Sequence, residues 1–343
     1  MNNIEINIRP SIRNMEPYSS ARKEFTGDGT VFLDANENPY GRYNRYPDPL
    51  QQRLKQAVSK IWGISSEHIF LGNGSDEAID MAFRIFCEPR RHKALVFTPT
   101  YGMYKTAAAV NDVALIELPL TKDFQINRKT LNPLLHNEQL KLVFICSPNN
   151  PTGNAIAKED IDFILRSFKG IVVIDEAYID FSSSPSFISA IPEYNNLIVL
   201  QTFSKAWGLA GVRVGMAFSG KEIIDYFNKI KPPYNISTVN QLAVLRRLKK
   251  IKAYKKEISK IIQEKKKLVA ALEQVKIVQK IYPSDANFLL VKINNAGGVY
   301  KQLINRNIIV RNRTSVINNC LRITIGAKKE NRQLVAALKK ICA

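Results

Sequence analysis

One lysine stands apart from the many in this chain. In QTFSKAWGLAGVRVG, residues 201–215, Lys205 follows Ser204 among small and hydroxylated residues, and Arg213 comes shortly after. An amine held near hydroxyl donors and a guanidinium can keep a phosphorylated aldehyde as a Schiff base. The nitrogen takes the carbonyl carbon, and the hydroxyls and guanidinium take the phosphate. Ser-Lys alone is a common surface pair, so the assignment depends on what accompanies it.

Three upstream segments supply that company. DEAY, residues 175–178, follows the apolar, β-branched run 170–174, so Asp175 falls at the carboxyl end of a buried strand, where open α/β sheets build ligand crevices. A carboxylate there can hold a proton on a pyridine nitrogen, although an aspartate capping the next helix has the same local sequence. Tyr178 is close enough in chain to offer its phenol to an oxygen on the same ring. SPNNPTG, residues 147–153, stops the strand-like run 142–145 with prolines and a glycine. That stiff turn presents Asn149 or Asn150 as an uncharged donor at little entropic cost. GNGSDEAIDMAF, residues 72–83, reads as a glycine turn opening a helix whose free N–H groups form a phosphate cup, with Ser75 and Asp76 at its lip. It is neither a Walker loop nor a full G-x-G-x-x-G fingerprint. Together the segments make the contacts that pyridoxal 5'-phosphate requires.

In this order and at these distances the segments resemble the fold type I pyridoxal-phosphate enzymes, in the branch that contains the histidinol-phosphate aminotransferases. The likeness runs through nearly the whole chain: PYSSARKEF (17–25), LDANENPYG (33–41), RYPDP (45–49), GNGSDE, TPTYGMY (98–104), CSPNNPTG, VVIDEAYIDF, TFSKAWGLAGVRVG and CLRITIG (320–326). The resemblance implies Lys205 as the Schiff-base lysine, Asp175 on the pyridine nitrogen, and Tyr178 with Asn150 on the 3'-oxygen. Tyr101 stacks on the ring, and Ser75, Asp76, Ser204 and Arg213 bind the cofactor phosphate. Tyr46 reaches the cofactor phosphate of a neighbouring subunit, which implies a homodimer with composite sites. Tyr18, Asn36, Arg311 and Arg322 contact substrate. One departure lies between the last two, where NRTSVINN carries a second arginine, Arg313.

The implied reaction exchanges L-histidinol phosphate and 2-oxoglutarate for 3-(imidazol-4-yl)-2-oxopropyl phosphate and L-glutamate, in L-histidine biosynthesis. Lys205 acts as general base at Cα, and guanidinium forks suit both phosphate and carboxylate. Other readings keep the same cofactor residues: an aromatic or broad-specificity aminotransferase, or a threonine-phosphate decarboxylase. A DNA-binding protein on a retired scaffold is disfavoured by the joint presence of Lys205, Asp175 and Tyr178.

Composition agrees. The chain has 343 residues and a net charge of +20, much of it in RRLKKIKAYKKEISKIIQEKKK, residues 246–267. Apolar residues recur there near helical spacing, so it reads as a long surface helix with a solvated basic face; without base-stacking aromatics it gives no reason to expect nucleic-acid binding. Cys87, Cys146, Cys320 and Cys342 lack C-x-x-C spacing, and His68, His92 and His136 lie in separate segments, so neither a metal site nor a disulfide framework is expected. The first residues lack a signal-peptide layout, and no run approaches the ~20 apolar residues of a membrane span. A cytoplasmic enzyme with no membrane partner is the expectation.

Elements must bring these residues together. Strand-like runs at 69–71, 94–97, 113–118, 142–145, 171–174, 197–201 and 214–218 alternate with helical patterns, which predicts an α/β fold with a mostly parallel sheet between helices. From about Lys221 the pattern turns to long helices, then to short strands at 287–293 and 321–325. The expected division is an N-terminal arm (1–35), a large cofactor-binding domain (36–230) and a smaller C-terminal α+β domain (231–343).

Overall fold

The computed structural model describes residues 4–18 and 31–342, so part of the expected N-terminal arm lies outside the described residues. Among the described residues the main sheet has seven strands: β1 (Ile69–Gly72), β2 (Lys93–Thr98), β3 (Ala114–Pro119), β4 (Leu140–Cys146), β5 (Ile171–Asp175), β6 (Leu197–Thr202) and β7 (Gly215–Ser219). Their order is β1-β7-β6-β5-β4-β2-β3, and only β7 runs antiparallel to its neighbours. The fold is therefore α/β with a mostly parallel sheet. The central strands read as continuous apolar runs because both faces are covered.

Helices α1 (Pro10–Asn14), α2 (Gln52–Trp62), α3 (Ser75–Phe86), α4 (Met103–Val110), α5 (Arg128–Leu135), α6 (Lys158–Ser167) and α7 (Lys221–Ile230) accompany the sheet. One core, with Phe70, Phe83, Phe144 and Phe227, lies under α3, α4 and α7. The opposite core gathers Leu131, Ile161, Val199, Trp207 and Phe218. Alternate residues of each strand point to opposite cores, as Val172 and Val173 do on β5.

Helices α8 (Thr238–Leu248) and α9 (Ile251–Glu273) lead to a second sheet, ordered β10-β11-β9-β8 and antiparallel throughout. Its strands are β8 (Val278–Ile281), β9 (Phe288–Ile293), β10 (Arg311–Asn312) and β11 (Cys320–Thr324), covered by α10 (Ala296–Ile304) and α11 (Lys328–Cys342). Strands β8 and β10 carry no sequence signal: VQKI is half polar, and two residues are too few for a pattern to register.

The basic stretch 246–267 is not one helix. Helix α8 ends at Leu248 and α9 begins at Ile251, so Arg246 and Arg247 close the first and the lysines belong to the second. Apolar periodicity carries across the two-residue break, which is why the sequence reads as continuous. The first half of α9 packs Ile251, Tyr254 and Ile258 on the core of the large sheet, and Leu268 and Leu272 enter the core of the small one.

Candidate active site

The parallel register brings the decisive residues together. Cys146 on β4 pairs with Asp175 on β5, and Asp175 pairs with Leu200 on β6. The loops that follow these strands therefore leave the sheet side by side, carrying Asn150, Tyr178 and Lys205. At the β1–β7 edge Gly72 pairs with Gly215, which sets the start of α3 beside the segment containing Arg213. A Cβ on Gly215 would lie 2.2 Å from the Ser75 backbone nitrogen, so only glycine permits this approach.

These loops enclose a cavity of about 430 Å³, within the size range of small-molecule sites. Lys205, Asp175, Tyr178, Asn150, Tyr101, Ser75, Asp76, Ser204 and Arg213 all line it, as do Arg311, Arg313 and Arg322 from the region of the second sheet. Tyr46, Asn36 and Tyr18 do not. Tyr46 stacks on Tyr234, ring centroids 4.4 Å apart, in a separate groove that also holds Asn36, and Tyr18 is exposed.

Asp175 forms the floor. It is only 3% exposed and accepts two hydrogen bonds from uncharged donors, Tyr104 Oη at 2.7 Å and the Ala177 N–H at 3.0 Å. Burial pushes its carboxyl above the usual aspartate range, and the Tyr104 and Ala177 hydrogen bonds oppose that rise. Tyr104 is the residue sequence reasoning missed. It lies within TPTYGMY, in the first turn of α4 just after Tyr101, and reads there as an ordinary core aromatic, so the sequence carried no distinct signal for it.

Over this floor Asn150 donates from Nδ2 to Tyr178 Oη at 3.5 Å, and Arg322 Nη1 donates to Asn150 Oδ1. Asn149, the alternative in the same loop, is committed to structure: it donates to Pro99 O and Thr152 Oγ1 and accepts from Thr100. Burial raises the Tyr178 phenol, which therefore stays protonated near neutral pH. Lys205 Nζ lies 5.6 Å from the Tyr178 ring centroid, and burial, then the Arg322 charge, lowers its ammonium pKa.

At the other end Ser75 occupies the first turn of α3, whose N-cap is Gly74 at φ 81°. Arg213, itself at φ 56°, pairs with Asp76 at 3.5 Å, and Tyr101 Oη donates to Asp76 Oδ1 at 3.1 Å. A Cβ on Gly74 would come within 2.8 Å of Arg213 Nη2, so backbone N–H groups and a guanidinium converge where a side chain would block them.

Neighbouring elements hold the Lys205 loop rigid. Trp207 stacks on Tyr254 of α9 at 3.8 Å, its carbonyl accepts from Arg247 Nε at 2.9 Å, and Tyr254 Oη donates to Asp180. Such a stack adds about 0.5–1.5 kcal/mol beyond burial. The 147–153 loop in turn braces the turn that leads into β9: the Asp285 N–H donates to Gly153 O at 2.7 Å, and a Cβ on Gly153 would strike Ser284 Oγ.

A buried carboxylate, a lysine of lowered pKa and a helix-start anion cup in one cleft at the carboxyl ends of parallel strands define a group-transfer enzyme of the aminotransferase type. The chain belongs to the class I and II aminotransferase family, whose model matches residues 30–341. Within it the chain groups with the histidinol-phosphate aminotransferases: the protein of that name from Parabacteroides distasonis is 48% identical over 337 residues, 97% of each chain. The crystal structure of the histidinol-phosphate aminotransferase from Clostridium acetobutylicum superposes with a TM-score of 0.80 at 25% identity, covering 87% of this chain and 91% of that one. The Sinorhizobium meliloti histidinol-phosphate aminotransferase, solved in complex with pyridoxal-5'-phosphate, shares the fold with a TM-score of 0.81 at 24% identity, covering 90% and 89%.

Proposed function

We propose that this chain is a pyridoxal-phosphate-dependent transaminase that moves the amino group of L-histidinol phosphate to 2-oxoglutarate in L-histidine biosynthesis. The observation that carries the reading is one cavity with the Lys205–Asp175–Tyr178 set on one side and Arg311, Arg313 and Arg322 on the other. The first set suits a pyridine aldehyde, and the second suits a phosphate on the substrate.

The residues present fit the cofactor. Asp175 is a buried carboxylate whose hydrogen bonds come from uncharged donors and which, among the described residues, makes no ion pair, so a protonated ring nitrogen would supply one. The cup at Gly74, Ser75 and Arg213 has the donors that a phosphate needs, with Ser204 and Asp76 beside it. When bound, the cofactor supplies an electron sink that stabilises negative charge developing at the substrate Cα.

The chain's own groups do the rest. Lys205 would hold the cofactor through its amine. Once the substrate amine has displaced it from that bond, its lowered pKa would favour the neutral form, which would accept the substrate Cα proton. Asp175 would keep the ring nitrogen protonated. The Tyr178 phenol and the Asn150 amide would hold the ring 3'-oxygen, and Tyr101 would lie against the ring. Arg322 is tied to Asn150, so anion binding and ring orientation share one hydrogen-bonded chain. Arg311 lies opposite Arg322 on the neighbouring strand.

Tyr46 and the Tyr234 stack border a groove rich in exposed aromatic side chains, which supports a homodimer in which Tyr46 reaches the partner's cofactor phosphate. Tyr18 and Asn36, exposed in this chain, are assigned to substrate contact on the same reading. The separate core around Leu272, Val291 and Leu338 supports a small domain within 231–343 beside the large domain 36–230 and the arm 1–35. No described helix is long and apolar enough to cross a membrane, and a cytoplasmic location suits a biosynthetic enzyme.

Half-reactions of the holoenzyme with L-histidinol phosphate and with unphosphorylated L-histidinol, followed by the change in cofactor absorbance, test the substrate. The phosphorylated amine should react and the unphosphorylated one should react far more slowly. Comparable rates with both would overturn the phosphate reading in favour of a broad-specificity aminotransferase.

A further inference from the structure

Among the described residues, five cationic side chains but only two carboxylates line the cavity. Asp76 pairs with Arg213 beside the phosphate cup, and Asp175 lies on the floor at the end of β5. The remaining guanidiniums, Arg311, Arg313 and Arg322, share one patch of the small sheet. Arg311 is in register with Arg322, and the Arg313 N–H continues the ladder to Cys320 O at 2.9 Å. Arg313 lies one residue past β10, two positions from Arg311 along the same paired segment, so the two share a face and all three reach the cavity. Among the described residues none of the three makes an ion pair. The Nε atoms of Arg313 and Arg322 are buried without a hydrogen-bond partner. Their charges also oppose one another: after burial, Arg322 and Arg311 are what push Arg313 below the usual arginine range.

Three crowded cations, of which Arg313 and Arg322 are partly desolvated, favour an anion that can engage all of them. A carboxylate carries one charge and two oxygens, and a single guanidinium fork occupies both oxygens. A phosphate monoester carries about −1.5 to −2 at neutral pH and offers three oxygens. We propose that Arg313 is a specificity-determining residue, the third arm of a guanidinium clamp that makes this site prefer a phosphate monoester dianion over a carboxylate.

Arg322 and Arg311 serve both anions that alternate here, and Arg313 acts on the phosphate alone. The inference rests on the aminotransferase reading above and adds to it the residue that separates the two substrates.

The test compares Arg313→Gln and Arg313→Lys holoenzymes with wild type in the two half-reactions separately. For Arg313→Gln, kcat/KM for L-histidinol phosphate should fall by roughly 10- to 100-fold, the range for losing a charge-assisted hydrogen bond. The loss with L-glutamate should be smaller, so that the ratio of the two constants falls at least about tenfold. Arg313→Lys keeps the charge without the fork and should fall between. Inorganic phosphate, used as an inhibitor of the glutamate half-reaction, should bind more weakly to both variants, a readout that needs no phosphorylated amine. Equal losses in both half-reactions, or unchanged inhibition by phosphate, overturn the proposal for Arg313 and leave the transaminase intact. A wild-type enzyme that turns over glutamate but not L-histidinol phosphate overturns the substrate reading, and Arg313 with it.

Discussion

Tyr104→Phe removes one oxygen atom from the floor of the site, and its consequences can be worked from the structure. The Tyr104 hydroxyl is fully buried and donates at 2.7 Å to Asp175 Oδ2, itself 3% exposed, so solvent does not screen the interaction. Phenylalanine keeps the ring and its stack on Phe144 at 5.0 Å, so packing is conserved. What is lost is a hydrogen bond to a charged acceptor, worth about 1.5–3 kcal/mol. That bond also holds the Asp175 pKa down against burial, so the variant's carboxyl titrates higher still. The sign follows from linkage. A carboxyl whose folded pKa is raised costs stability once pH climbs above its unfolded value, and raising it further enlarges that cost at neutral pH but not in acid. Urea unfolding of the apoprotein should show Tyr104→Phe destabilised by about 1.5–3 kcal/mol at pH 7.5, and by less at pH 5. Absorbance titration should show weaker cofactor binding, because a carboxylate protonated more readily holds the ring nitrogen less well. A variant within about 0.5 kcal/mol of wild type at pH 7.5, with unchanged cofactor affinity, would refute the reasoning.

Four further outcomes are expected. Lys205→Ala should lose turnover together with the cofactor that borohydride fixes to the protein, and peptide mapping that finds the fixed cofactor on another lysine would exclude Lys205 as the attachment point. Arg322→Ala should lower kcat/KM for both substrates by a few orders of magnitude, the equivalent of ~2–5 kcal/mol for an anion left unpaired, while the cofactor stays attached; a mild effect on either substrate counts against shared anion binding. Glu176 accepts from Ser186 Oγ, the Phe187 N–H and Gln201 Nε2, yet burial pushes its carboxyl up to about 7. Its contribution to stability is therefore present below about 4.5 and is lost as pH rises through about 7, a change of roughly 3 kcal/mol that Glu176→Gln should flatten in pH-dependent unfolding. Mixed Tyr46→Ala and Lys205→Ala subunits should regain part of the activity each lacks alone, since one site of the heterodimer carries both lesions and the other neither; sedimentation of a fully active monomer would exclude a shared site.

The sequence by itself determined the strands that carry the site, because a buried parallel strand must be apolar on both faces and LVFIC, IVVID and LIVLQT satisfy that locally. It also pointed to the candidate reactive set, since Asp175 ends one such strand and Asn150, Tyr178 and Lys205 lie in the segments that follow β4, β5 and β6. The chemistry at these positions needs particular residue types, and types are what a sequence records. Only the tertiary structure decided which residues outside those loops complete the site. Tyr104 looks like any helical aromatic until the β4–β5 register brings Asp175 beneath its hydroxyl. Asn149 and Asn150 are equivalent in sequence, and only the packing of Pro99, Thr100 and Thr152 commits the first to the scaffold and frees the second. The break between Leu248 and Ile251 is invisible because apolar spacing continues across it, whereas the chain must turn there to seat Tyr254 against Trp207. The clustering of Arg311, Arg313 and Arg322 depends on the pairing of a two-residue strand, and cross-strand register is a long-range property that no local pattern encodes.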